Sequence, residues 1–216
     1  MAQYFKYFPD VPYFIGRDSR SLTTVKNIIS RFTIDENLKN NAVAYFKYNI
    51  KDDESPEVLA YKIYGSSENH WIILAMNDIV DPLFDWPLKQ KSLNKYIDAT
   101  YTANANVSIG QTGMEWAQAN IHSYYKVITK TTNLDTISYE NKYELDVNTY
   151  TSLASTSSNY TISDGVNLTV AITKETKTYY DYQVELNDDK REIIILKPEF
   201  LSSVEEEFRN VMSDIL

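Results

Sequence analysis

Between Ser55 and Asn77 the punctuation of the chain leaves little choice of local structure. Ser55-Pro56-Glu57 combines a capping hydroxyl, a proline at the first helical position and an acid at the positive end of the dipole. That helix must stop at Gly65, where a left-handed residue closes it. Ser67 with Glu68 opens a second helix through Trp71, Ile72, Ala75 and Met76, which ends near Asn77 ahead of Pro82. These are two short helices joined by a tight Gly-Ser turn.

Upstream, Ala42 to Ile50 reads as a strand that ends in the polar turn Lys51-Asp52-Asp53-Glu54. Residues 1–20 crowd aromatic side chains around Pro9 and Pro12 and read as an extended arm. Ser21 could cap a short helix with Leu22, Val25, Ile29 and Phe32 on one face, against the β-branched character of Thr23, Thr24 and Val25. Downstream, the prolines of Asp81-Pro82-Leu83-Phe84-Asp85-Trp86-Pro87-Leu88 forbid a regular helix. A helical turn or two follows through Leu93, Tyr96 and Ile97, and residues 98–120 read as a long loop with a short helix near Trp116.

From Ile121 to Leu196 the character is β. Tyr124, Lys126, Ile128 and Lys130 alternate against Tyr125, Val127 and Thr129, and 143–147 and 166–173 look similar. Val184-Glu185-Leu186 and 192–196 flank Asn187-Asp188-Asp189-Lys190 as a hairpin would, while the Ser/Thr-rich stretch 149–163 reads as a flexible loop or edge region. The last segment is a helix: Ser202 and Glu205 have capping-box spacing, and Leu201, Val204, Phe208, Val211 and Ile215 form a seam that docks on its own domain or on a neighbour. The fold class is therefore α+β, with an aromatic arm and short helix (1–41), a β-α-α-β module (42–97), and a β-rich region with a C-terminal helix (98–216).

Composition narrows the chemistry. A net charge of −9 argues against nucleic acid as a partner, since phosphate binding needs a basic patch. The chain has no cysteine, which removes disulfides, thiolate nucleophiles and thiolate metal sites together. The N-terminus lacks the apolar core of a signal peptide, and no apolar run is long enough to cross a bilayer, so the chain is expected to stay on the cytoplasmic side without a membrane partner. His70 and His122 form no ligand-spaced pair. Asp78, Asp81 and Asp85 could hold a hard cation, but without EF-hand spacing they read better as capping or solvated loop acids. No phosphate loop or nucleophile elbow is present, so no cofactor and no enzyme activity are expected. Eighteen tyrosines suit either thin β-rich cores or surfaces that are both wet and adhesive.

The order strand, acidic turn, Ser-Pro-started helix, Gly65 and a second helix bearing Ile73-Leu74-Ala75-Met76-Asn77 resembles a LysM module. Two departures stand out: the turn lacks the LysM glycine, and the closing Gly-x-x-Ile-x-Ile-Pro strand is replaced by Asp81 to Leu88. Taken with His70-Trp71-Ile72 and Asp85-Trp86-Pro87-Leu88, the tract resembles the baseplate wedge protein family of contractile-tailed bacteriophages, the LysM-like gene product fifty-three type. Lys190-Arg191-Glu192-Ile193-Ile194-Ile195-Leu196-Lys197-Pro198 and the helix after it look like the family's ending.

This resemblance implies a virion protein of the tail baseplate, assembled in the host cytoplasm. It would be present in six copies or a multiple, joining neighbouring wedge subunits and contacting other wedge and hub proteins. The residues expected to make protein contacts are Trp71, Phe84, Asp85, Trp86, Leu88 and Phe208, with packing inside the module as the competing role for Trp71 and Trp86. A LysM-type glycan-binding module for cell-wall polymer is the alternative, and a small hydrolase built on Asp81 or Asp85 is a third reading.

Overall fold

The computed structural model describes residues 3–14, 22–133, 138–163 and 165–214. The chain divides into two compact units, Met1–Lys89 with Asp188–Leu216, and Gln90–Asn187. In chain order the first unit contains α1 (Gln3–Lys6), β1 (Asp10–Phe14), β2 (Leu22–Lys26), α2 (Glu36–Lys39), β3 (Tyr45–Asn49), α3 (Pro56–Tyr64), α4 (His70–Met76) and the single turn α5 (Pro82–Asp85). There follow α6 (Gln90–Tyr101), α7 (Gly113–Ala119), β4 (Ile121–Thr132), β5 (Ser138–Leu145), α8 (Val147–Ser152), β6 (Thr156–Ser163), β7 (Val166–Thr178) and α9 (Tyr179–Asp189). The chain then returns to the first unit with β8 (Glu192–Leu196) and α10 (Leu201–Asp214). The fold is α+β, with antiparallel pairs β1–β2 and β3–β8 and a four-stranded antiparallel sheet of order β5-β4-β7-β6.

The second helix opens differently from expectation: Ser66, not Ser67, is the cap, its Oγ accepting the Glu68 N–H, and a 3-10 turn at Ser67–Asn69 precedes α4. The first helix is punctuated as the sequence predicts. Ser55 Oγ accepts the Val58 N–H, Pro56 starts α3, and Gly65, at φ 73°, donates its N–H back to the Tyr61 carbonyl. The turn before α3 also needs a left-handed residue, and Asp53 takes that role at φ 70°. Aspartate is one of the few side chains that tolerate this conformation.

The closing strand is not replaced by Asp81 to Leu88. It is β8, which pairs antiparallel with β3 with Lys47 opposite Ile194. The Ile50 N–H bonds the Arg191 carbonyl and the Lys197 N–H bonds the Ala44 carbonyl, each at 2.9 Å. Alternation along an antiparallel ladder then turns the backbone groups of Ile194 and Leu196 away from β3. Asn77, at the end of α4, meets them. Its Oδ1 accepts the Ile194 N–H at 2.8 Å, and its Nδ2 donates to the carbonyls of Ile194 and Ile73, both at 2.8 Å. Tyr64 OH donates to the Leu196 carbonyl at 3.0 Å, and burial pushes this phenol well above its usual range. Helix side chains thus do for the second edge of β8 what a third strand would do.

Two apolar clusters sit on this frame. In one, Leu59, Ala60 and Ile73 pack with Ile50, Ile193, Ile195 and Trp86. In the other, Trp71, Ile72 and Met76 of α4 pack with Leu196 and with Val204, Phe208 and Met212 of α10, joined by Phe8 and Ile34.

Several expectations are corrected. Leu22–Lys26 is a strand paired with β1 instead of a helix; the β-branched Thr23, Thr24 and Val25 favour it, and Ser21, its expected cap, lies outside the described residues. Gln3–Lys6 makes a helical turn within the arm expected to be extended. Val184 to Leu186 are helical in α9, so the hairpin with 192–196 does not form. The missed signal is Thr178-x-x-Asp181, a reciprocal box in which Thr178 Oγ1 accepts the Asp181 N–H and Asp181 Oδ2 accepts the Thr178 N–H. Residues 98–120 are largely helical; α7 has its own box, Thr112 with Glu115, and Gly113 lies so close to Asp98 and Tyr101 that no side chain fits. Within 149–163, the edge reading holds for β6 and α8 replaces the loop. In α10, Ser202 lies inside a helix that starts at Leu201 after a 3-10 turn at Pro198–Phe200, so it is not the cap. The buried stripe is Val204, Phe208 and Met212; Val211 is exposed and Ile215 lies outside the described residues. Residues 188–216, grouped with the β-rich region from sequence, belong to the first unit.

If Asn77 closes the edge of β8, Asn77→Asp should keep the acceptor for Ile194 but lose both donated bonds. Leaving buried carbonyls unpaired costs about 1–3 kcal/mol, more when a charge is introduced. Urea unfolding should therefore show a loss of at least that size for Asn77→Asp and Asn77→Ala alike. A change no larger than a surface substitution gives would contradict this role.

Candidate interaction surface

Three of the six residues expected at an interface are core residues of the first unit. Trp71 packs its ring 4.8 Å from that of Phe208, and Phe32 meets both edge-on at 5.8 and 5.3 Å. Trp86 is buried, and its Nε1 donates to the Glu54 carbonyl at 2.8 Å. Leu88 is half-buried. Phe84 and Asp85 lie on the surface, and the structure brings Val80 and Leu83 to the same short segment.

That segment is shaped by local capping. The α4 helix ends with Asp78 in the left-handed region at φ 54°, ion-paired to Lys39, and the Ile79 N–H returns to the Leu74 carbonyl at 2.9 Å. Asp81 Oδ1 then accepts the Leu83 N–H at 3.0 Å, Pro82 sets the first turn, and Asp85 Oδ2 accepts the Asp81 N–H at 3.3 Å. Each of the three aspartates considered for a cation thus has a structural task. Among the described residues no cluster of three or more His, Cys, Asp or Glu is placed to hold a metal.

The result is a ridge. Leu83 is 74% and Phe84 68% exposed, with Val80 beside them. Exposed apolar rings at the tip of a turn normally fray, but this turn is tied down on both sides. Lys190 Nζ donates to the Phe84 carbonyl at 2.6 Å, and Trp86 with Pro87 is sunk into the core immediately after it. A groove of about 540 Å³ runs alongside, sharing Val80 and Pro82 with the ridge and floored by Phe8, Trp71 and Leu74. The exposed apolar side chains of the ridge can bury area against another protein.

The residue that sequence reasoning missed is Glu54, read only as a turn acid. Its carboxylate accepts from Tyr48 OH at 3.0 and 2.9 Å, from the Lys51 N–H at 3.0 Å and from Lys62 Nζ at 3.0 Å. Its carbonyl holds Trp86. Burial by itself would raise the carboxyl's pKa, but the Lys51 N–H, Lys62 and Tyr48 together outweigh it and hold the group below the usual carboxylate range. The signal in sequence was the Tyr48…Glu54…Lys62 set, visible only once strand and helix are placed side by side.

A sequence model of the family described as base plate wedge protein 53 matches residues 5–211, nearly the whole chain. The chain belongs to that family. It is also 39% identical over 54 residues to the baseplate wedge protein gp53 of Enterobacteria phage T4, a stretch covering 23% of this chain and 28% of that protein. Membership gives the chain a structural role in a phage tail baseplate, and with it a place in the virion. No helix among the described residues is long and apolar enough to cross a membrane.

A carboxyl depressed in the folded state adds stability that is present above its unfolded value and is lost as pH falls through the folded one. The stability gap between the wild type and Glu54→Gln should therefore be widest near neutral pH and close as the solution is acidified below the ordinary carboxylate range. Parallel pH profiles in urea titrations would contradict the ionised Glu54 node.

Proposed function

We propose that this baseplate protein joins neighbouring wedge subunits, with the Val80–Phe84 ridge and the adjoining groove as one contact face. The observation that carries the reading is the exposure of Leu83 and Phe84 on a turn anchored by Trp86, Pro87 and Lys190. A large apolar side chain held rigid in solvent loses little conformational entropy when a partner covers it, which is what contact hot spots need. Trp71, Trp86 and Phe208 serve that contact indirectly, by holding the module that presents the ridge. Leu88 and Asp85 flank the anchor. The partners are other wedge and hub proteins, with six copies of this chain or a multiple in each baseplate, assembled in the host cytoplasm.

The test is the double variant Leu83→Ser with Phe84→Ser. Both side chains are exposed, so unfolding free energy should change by no more than about 0.5 kcal/mol per site. Co-sedimentation with the other wedge proteins should weaken at least tenfold, about 1.4 kcal/mol. Undiminished assembly of the variant would contradict the ridge as a contact. Saturable binding of the wild type to purified peptidoglycan, lost in the same variant, would favour the glycan-binding alternative.

A further inference from the structure

The second unit contains a sheet with one face that its own elements leave largely open. Residues directly opposite in an antiparallel pair share a face. By that rule Ile128 in β4, Leu168, Val170 and Ile172 in β7, Tyr160 in β6 and Tyr139 in β5 lie on one side. The short helix α8 covers only one end of it: Tyr150 packs 4.8 Å from the Tyr124 ring, and Lys174 reaches the Thr151 carbonyl at 3.3 Å. Toward the other end Tyr139 is 67% and Tyr160 56% exposed, and the four aliphatic residues between them are half-buried. A sheet with such a face gains stability when a second layer covers it.

Charge says what kind of layer. Lys126, Lys130 and Lys174 stand on this face with no acidic residue among the strand positions that share it. The strand acids Glu140, Glu144 and Glu175 are all on the opposite face, where Lys142 and Lys177 flank the Tyr125 ring and Lys142 pairs with Glu175 at 2.6 Å. Among the described residues neither Lys126 nor Lys130 has a carboxylate partner. In a chain of net charge −9, a sheet face whose only charged strand residues are lysines, set among aliphatic, tyrosine and neutral polar side chains, is a local reversal of sign.

We propose that this open sheet face is a second docking site, for a different tail protein that presents an apolar segment flanked by carboxylates. Lys126 and Lys130 would sit against those carboxylates while the segment covers Leu168, Val170 and Ile128. A second copy of this chain using the same face is the wrong occupant, because it would set lysine against lysine. The site rests on the baseplate placement of the chain but is separate from the Val80–Phe84 ridge.

Zero-length carbodiimide coupling and lysine acetylation on isolated tails, read by mass spectrometry, test it. Lys126 and Lys130 should be recovered coupled to Asp or Glu of another tail protein, and Lys130 should acetylate at least tenfold more slowly than in the free chain. Acetylation of Lys130 at the free-chain rate would overturn the proposal. So would protection without coupling to a carboxylate, or coupling only to a second copy of this chain. Tails that lack the chain altogether would overturn the baseplate reading, and this site with it.

Discussion

Strand β8 has two edges, and only β3 supplies it with a strand. The other edge is covered by Asn77 and Tyr64, whose side chains meet the outward groups of Ile194 and Leu196. Everything else in the first unit leans on that closure. It fixes α4 against the strand, and so aims Ile73 into one apolar cluster and Trp71, Ile72 and Met76 into the other. It also fixes where the chain leaves β8, and so lets α10 lay Phe208 against Trp71. A half-buried side-chain amide that satisfies three backbone groups at once is sensitive to substitution, since each group left unpaired costs free energy.

The same frame explains how a turn rich in prolines can present apolar side chains without fraying. Glu54 ties the β3–α3 turn together through its carboxylate and holds Trp86 through its carbonyl. Trp86 in turn limits the freedom of the residues just before it, and Lys190, two residues before β8, clasps the Phe84 carbonyl. The ridge is therefore tethered to both the β3–α3 turn and the segment leading into β8. If a partner covers this turn, as proposed, the tethering lowers the entropy lost on contact.

Elements written in short-range chemistry were legible in the sequence. Ser55-Pro56, Gly65 and the Ile73…Asn77 spacing each carry their own structural instruction, and the α3–α4 pair follows from them. What was not legible depended on distant partners. Ile193 to Leu196 reads as a strand, but nothing local says that its mate is Tyr45–Asn49 rather than the segment just before it. Val184 to Leu186 looks strand-like until the Thr178–Asp181 box commits the segment to helix. Leu22 to Lys26 had apolar residues at helical spacing, yet pairing with Asp10–Phe14 and β-branching decided for strand. For the proposed contact surface, exposure was not legible. The tryptophans that sequence singles out are anchors, and the exposed side chains are Leu83, Phe84 and Val80 beside them.

Strand β8 closes the unit begun by β3, α3 and α4, and residues 90–187 form the second unit as an insertion between them. The ends of that insertion leave from neighbouring points: Lys89 pairs with Asp53 at 2.7 Å, and Arg191 binds both Asp52 at 3.3 Å and Asp188 at 2.9 Å. The most direct measurement is amide hydrogen exchange on a chain in which residues 90–187 are replaced by a short Gly-Ser linker. Cooperative unfolding and strong protection at Ile193 to Ile195 are the expected result, with the Ile194 amide exposed again by Asn77→Ala. Fast exchange across Ile193 to Ile195 in the linked chain would contradict this closure.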